Sequence, residues 1–229
     1  MIDSLKLFST EECEIILKKL DSIDDFFLLS SENFYVAGYP FYINKKVYEE
    51  NEIKHKYNEV FNNIFKDEFA VMTKVFEEYL GANVYTHPDL AMPGFHKVIG
   101  ESYSKSLVNF HFDDFKQFSH GLYPELGFTN STQYNFTIQL TNNVKGSSGL
   151  SFYSVKLSKK LNIISATKTE VANLDSGLIN KVHYERGSVN VHKNLMHSIF
   201  FENNSPSVAQ RITLQGVLKQ TEKGYLIFW

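Results

Sequence analysis

The hydrophobic period changes at Gly81, and that change constrains the fold of this 229-residue chain more than any other feature. From about residue 46 to residue 80, Val47, Tyr57, Val60, Phe61, Ile64, Val71, Val75, Phe76 and Leu80 recur at helical spacing. Gly81 is a stop signal, because only glycine enters the left-handed conformation freely after a last helical turn. A helix of that length without a break is unusual, so two segments with a joint near Lys66-Asp67 are expected. An earlier helix begins at Ser9. The Ser9 hydroxyl can accept from the Glu12 amide, the Glu12 carboxylate can reach back to the Ser9 amide, and Phe8 can staple onto Cys13. Ile15, Ile16 and Leu20 then supply its apolar stripe. Residues 1–82 therefore read as a helical buttress.

After Gly81, short runs of β-branched and aromatic residues alternate with turn residues, as in a barrel or sandwich. The predicted strands are 83–86, 94–99, 107–112, 133–141, 150–155, 188–192, 198–202, 208–218 and 226–229. The clearest is Tyr134-Asn135-Phe136-Thr137-Ile138-Gln139-Leu140. Its Tyr, Phe, Ile and Leu face a core, while Asn135, Thr137 and Gln139 face solvent or a polar interior that would contact a ligand. The 20 Phe and 13 Tyr strengthen the leaning toward sheet. Helices followed by a run of strands indicate one α+β domain over 1–229, with helices packed on a β sandwich at 83–229. Residues 156–186 look like a long insertion, and with the 29–43 loop they are candidate covers over a pocket.

Composition excludes several functions. A net charge of −3 and a pI near 6.2 give no bulk attraction to nucleic acid or anionic membrane. No apolar run approaches the ~20 residues that cross a bilayer, and residues 1–6 lack signal-peptide character, so a cytoplasmic location is expected. The single cysteine, Cys13, excludes an internal disulfide and a zinc site built from several thiolates. The eight histidines are therefore the main reservoir of metal ligands.

The sharpest local feature is Asn109-Phe110-His111-Phe112-Asp113-Asp114. Residues two apart on a strand share a face, so an imidazole and a carboxylate aim at one point. A third ligand could come from His192 or His197. Two histidines and one carboxylate on one side of a metal leave open positions, as in non-haem iron oxygenases. Arg211 and Thr213 share a face of a later strand. A guanidinium and a hydroxyl there suit the far carboxylate of a dicarboxylic co-substrate.

In this order and spacing the residues resemble the Fe(II)/2-oxoglutarate-dependent dioxygenase superfamily over about residues 93–220. His111-x-Asp113 matches its first motif, His197 its distal histidine, and Arg211-x-Thr213 its arginine element. The segment 146–153 looks like the glycine-rich turn and strand between them. The resemblance implies a double-stranded β-helix (jelly roll) with the N-terminal helices on its major sheet. It implies Fe(II) on His111, Asp113 and His197, 2-oxoglutarate on Arg211, Thr213 and Gln139, and O2 as oxidant. The implied reaction is hydroxylation of an unactivated C–H bond with decarboxylation of 2-oxoglutarate to succinate. Halogenases of this superfamily lack the carboxylate, so Asp113 favours hydroxylation. Asp114, His192 and Trp229 are the expected substrate-side residues, the substrate being a small molecule such as a free amino acid. The competing readings are a non-catalytic jelly-roll binding module and a cupin-type metalloenzyme that does not use 2-oxoglutarate.

Overall fold

The computed structural model describes residues 2–23, 27–31, 34–39, 51–99, 110–111, 132–141, 148–153, 165–166, 179–193, 195, 197–201 and 210–229. The N-terminal part contains β1 (Ile2–Lys6), α1 (Thr10–Asp21), β2 (Phe27–Ser31), β3 (Phe34–Ala37) and α2 (Asn51–Leu80). The strands that follow are β4 (Val84–Tyr85), β5 (Gly94–Ile99), β6 (Phe110–His111), β7 (Gln133–Gln139) and β8 (Ser148–Tyr153). The last are β9 (Ser165–Ala166), β10 (Ile179–His183), β11 (Ser188–His192), β12 (His197–Phe201), β13 (Gln210–Thr221) and β14 (Gly224–Phe228).

Both helices form where the local chemistry directs. The capping box of α1 is present: Ser9 Oγ accepts from the Glu12 amide at 3.1 Å, and Glu12 accepts from the Ser9 amide at 2.7 Å. The same bonds hold the Glu12 carboxyl below its ordinary range. Helix α2 ends at Gly81, with φ 63° and its amide donating to the Glu77 carbonyl at 2.9 Å. Its joint falls at Phe65 (φ −113°, ψ 21°), next to the expected Lys66-Asp67. Among the described residues no helix is long and apolar enough to cross a membrane.

Residues 1–82 are not helical throughout. Strand β1 pairs antiparallel with β11, and β3 pairs with β5, so the N-terminal segment supplies edges of the main sheet as well as the helices. The predicted insertion at 156–186 likewise contains β9 and β10, and β10 pairs with β8. Of the candidate covers at 29–43 and 156–186, residues 32–33, 40–43, 156–164 and 167–178 lie outside the described residues.

Among the described residues the strands form two sheets. The larger has nine strands ordered β1-β11-β7-β13-β5-β3-β2, with β14 paired to β13 and β4 to β14. The smaller has five, ordered β10-β8-β12-β6-β9. Strands β5 to β8 alternate between the large and the small sheet, β9 and β10 stay in the small one, and β11, β12 and β13 alternate again.

The large sheet has two unlike faces. One packs on the helices: Phe136, Ile138, Val189, Val191, Ile212 and Leu214 join Cys13, Ile16, Phe61, Phe65 and Phe76 in one core. Phe61 and Phe65 both meet the Phe95 ring, at centroid distances of 6.1 and 5.2 Å. The alternate residues turn away from the helices, and they are polar yet buried: Gln133, Asn135, Thr137, Gln139, Ser188, Asn190, His192, Arg211 and Thr213. Buried polar groups need partners, and several on this face find them in one another, as Gln133 does in Asn135 and Arg211 in Gln139.

At the Gly94 end of β5 the inner face is covered by Trp229, 2% exposed, whose amide donates to the Ala91 carbonyl at 2.9 Å. The indole lies on Gly94, where an added Cβ would meet Trp229 Cζ3 at 1.7 Å and the Ala37 carbonyl oxygen at 2.7 Å. Gly94→Ala must expel the indole and is expected to destabilise the protein by about 3 kcal/mol, lowering Tm by roughly 6–12 °C. Gly81→Ala, with open space at its Cβ, should cost only about 1 kcal/mol through its left-handed backbone. Thermal unfolding of the two variants checks this order.

Candidate active site

Strand register arranges the inner face in levels. His192, Asn135 and Val217 share one level. Asn190, Thr137, Gln215 and Gly94 share the next. Gln139, Thr213 and His96 form the third, and Arg211 with Val98 the fourth. Arg211 and Thr213, predicted to share a face, do so, and both are buried at 3% and 0% exposure.

The Arg211 guanidinium is held in a fixed orientation. Its Nε donates to Gln139 Oε1 at 3.2 Å, and its Cζ lies 5.6 Å from the Tyr184 ring centroid. Gln139 is fixed in turn, since its Nε2 donates to the Thr141 carbonyl at 3.1 Å and to Thr141 Oγ1 at 2.9 Å. Those bonds specify which way the amide points, with its oxygen toward Arg211. The place of Gln139 is therefore behind the arginine, aiming the fork. Thr213 Oγ1 accepts from Gln215 Nε2 at 2.9 Å, which leaves the hydroxyl proton to donate elsewhere.

His197 and His111, far apart in sequence, are direct partners in the β12–β6 pairing. Residues opposite each other on antiparallel strands lie on one face of the sheet. His197 also pairs with Phe152 on β8, so it sits on an inner strand of the small sheet. Its ring is 5% exposed, with Nδ1 2.8 Å from the Leu195 carbonyl oxygen. An imidazole that donates from Nδ1 to that carbonyl carries its lone pair on Nε2, where it can ligate a metal. The two rival histidines are in contact: the His192 and His197 rings are 4.7 Å apart and edge-to-face. His192 reaches them from the large sheet and His197 from the small one, so this contact joins the two sheets over the candidate site.

Asp113 and Asp114 lie outside the described residues. Among the described residues no group of three His, Cys, Asp or Glu side chains converges on one point. Cys13 is buried in the helix-facing core and burial pushes its thiol up, which argues against a thiolate nucleophile. Trp229 borders the inner face beside His96, their ring centroids 5.2 Å apart.

Sequence reasoning missed several inner-face residues, among them His96, Asn190 and Lys219, at 8%, 0% and 1% exposure. For His96 the signal was present, since Phe95 and His96 alternate on a predicted strand and Phe95 faces the helices. For Asn190, alternation with Val189 and Val191 shows a face but not that the face is buried.

No family model matches this chain, and no curated protein matches it by sequence. Solved structures do match. An N-substituted L-amino acid dioxygenase from Burkholderia ambifaria superposes with a TM-score of 0.59 at 13% identity, covering 100% of this chain and 86% of that one. The same enzyme with α-ketoglutarate bound gives 0.56 at 14% identity, with coverage of 100% and 86%. HygX from Streptomyces hygroscopicus, with nickel and 2-oxoglutarate bound, gives 0.50 at 11% identity, covering 94% of this chain and 81% of that one. The chain thus has the fold of Fe(II)/2-oxoglutarate-dependent dioxygenases. At these identities the likeness is one of fold.

Proposed function

We propose that the chain is an Fe(II)/2-oxoglutarate-dependent oxygenase, built on a jelly roll, that hydroxylates a small molecule such as a free amino acid. The observation that carries this reading is the direct register pairing of His197 with His111, with Arg211 buried on the facing sheet. The repeated passage of the chain between two sheets from β5 to β13 supports the jelly-roll reading, as does the fold shared with the dioxygenases.

The donor set fits the metal and the co-substrate. Two imidazoles and a carboxylate form a facial set that suits Fe(II), so His111, His197 and Asp113 would hold it. The guanidinium of Arg211 offers a planar pair of donors to the distal carboxylate of 2-oxoglutarate. The Thr213 hydroxyl adds a donor from the same face, and Gln139 holds the guanidinium in orientation. When bound, the iron and the 2-oxo acid supply the oxidising chemistry, which no side chain can provide. The protein's own contribution is to aim these groups and to keep water from a site where Gln139, His197, Arg211 and Thr213 are buried. His192, Asp114 and Trp229 are assigned to the substrate side.

The test is a reconstitution. Anaerobic addition of Fe(II) and 2-oxoglutarate to the pure protein should give a visible charge-transfer band. Oxygen should then give succinate, more of it in the presence of the right small molecule. Folded protein that shows neither the band nor succinate would falsify the proposal. A succinate-release screen across amino acids and small metabolites would identify the substrate.

A further inference from the structure

Asn190 is 0% exposed, and among the described residues neither its amide nitrogen nor its amide oxygen has a hydrogen-bond partner. A buried amide left unsatisfied costs about 1–3 kcal/mol relative to an apolar residue of the same shape. Its strand neighbours Val189 and Val191 pack in the helix-facing core, so Asn190 lies on the inner face. Neighbouring amides on that face are bonded within the protein: Gln139 to Thr141, and Gln133 Nε2 to Asn135 Oδ1 at 2.9 Å. Of these amides, Asn190 is the one without a partner among the described residues.

Its level shows what it would meet. Strands β11 and β13 run in the same direction, each being antiparallel to β7 between them. His192, in contact with His197, is level with Val217, whereas Asn190 is level with Gln215, toward Arg211. A diacid reaching from the histidine pair to Arg211 passes Asn190 near its metal-side end. Resting on the function proposed above, we infer that Asn190 Nδ2 donates a hydrogen bond to the metal-side carboxylate of the 2-oxo acid. Its job is then to fix which carboxylate oxygen turns toward the metal.

The test uses full-length protein loaded with Mn(II), which binds without turnover, and calorimetric titration with 2-oxoglutarate. Asn190→Leu keeps the shape and removes the donor. It should raise Kd about tenfold or more, as loss of a hydrogen bond to a charged group does. The Tm of the ligand-free variant should be equal to or above that of the unaltered protein, because an unsatisfied amide has gone. Asn190→Asp should weaken binding further by setting a carboxylate against a carboxylate. Binding within about twofold of the unaltered protein for Asn190→Leu would overturn the inference. So would a fall of several degrees in the ligand-free Tm of both variants, which marks a structural residue. Failure of the unaltered protein to bind 2-oxoglutarate overturns the functional proposal itself and removes this inference with it. The two failures are therefore distinct.

Discussion

Arg211→Met is expected to raise the Kd for 2-oxoglutarate by about 30- to 1,000-fold, equivalent to about 2–4 kcal/mol. The size follows from burial. Arg211 is 3% exposed, so a carboxylate reaching it has exchanged water for two parallel charge-assisted bonds and cannot recover that water when the guanidinium is removed. Methionine is the informative replacement because its length fills the space beside Tyr184, and exchange of a buried cation for an apolar side chain of similar volume is often near neutral for stability. The loss should therefore appear in binding and not in folding. Arg211→Lys separates charge from geometry. It keeps the cation but loses the fork and the Nε bond to Gln139 Oε1, so an intermediate Kd is expected. Calorimetry with 2-oxoglutarate on the Mn(II)-loaded variants, with Tm measured alongside, decides the matter. Unchanged affinity in Arg211→Met would move the diacid anchor to another residue and favour a metalloenzyme that does not use 2-oxoglutarate.

The shared face of Arg211 and Thr213 was legible in the sequence because the two lie two apart in an apolar run, which fixes a common face whatever the sheet does. Strands β5, β7, β11 and β13 were legible for a related reason. Each has alternate residues packed on the helices, and that packing selects apolar side chains at period two. Strands β1 and β10 lack the pattern. Ile2-Asp3-Ser4-Leu5-Lys6 pairs along one edge of the large sheet, and Ile179–His183 lies at one edge of the small one, where solvent tolerates polar residues on either face. Burial of the inner face was illegible for a different reason. Asn135, Thr137, Asn190 and His192 alternate with apolar residues as solvent-facing ones would, and only the opposing sheet makes them buried. The pairing of His111 with His197 is a matter of register between strands distant in sequence. Motif spacing pointed to it, but no local propensity did.

That pairing carries the other large effect. His197→Ala is expected to remove stoichiometric metal binding and to lower 2-oxoglutarate-dependent succinate formation by at least about 10³-fold. Metal chemistry supplies several kcal/mol of barrier lowering, and each 1.36 kcal/mol is tenfold in rate. His192→Ala is the necessary comparison, because its ring lies 4.7 Å from that of His197 and either could be the ligand by sequence alone. Position separates them. His197 is opposite His111 in the same sheet, with Nδ1 held at the Leu195 carbonyl, whereas His192 approaches from the large sheet and is opposite Asn135. A residue that packs against a ligand changes activity by about 10- to 100-fold without removing the metal. His192→Ala should therefore retain stoichiometric metal and lose activity only within that range. Metal content by elemental analysis distinguishes the two roles independently of turnover. If His192→Ala is the variant that comes out metal-free while His197→Ala keeps its metal, the ligand set must be redrawn across the two sheets, and the pairing of residues 111 and 197 becomes a matter of strand register alone.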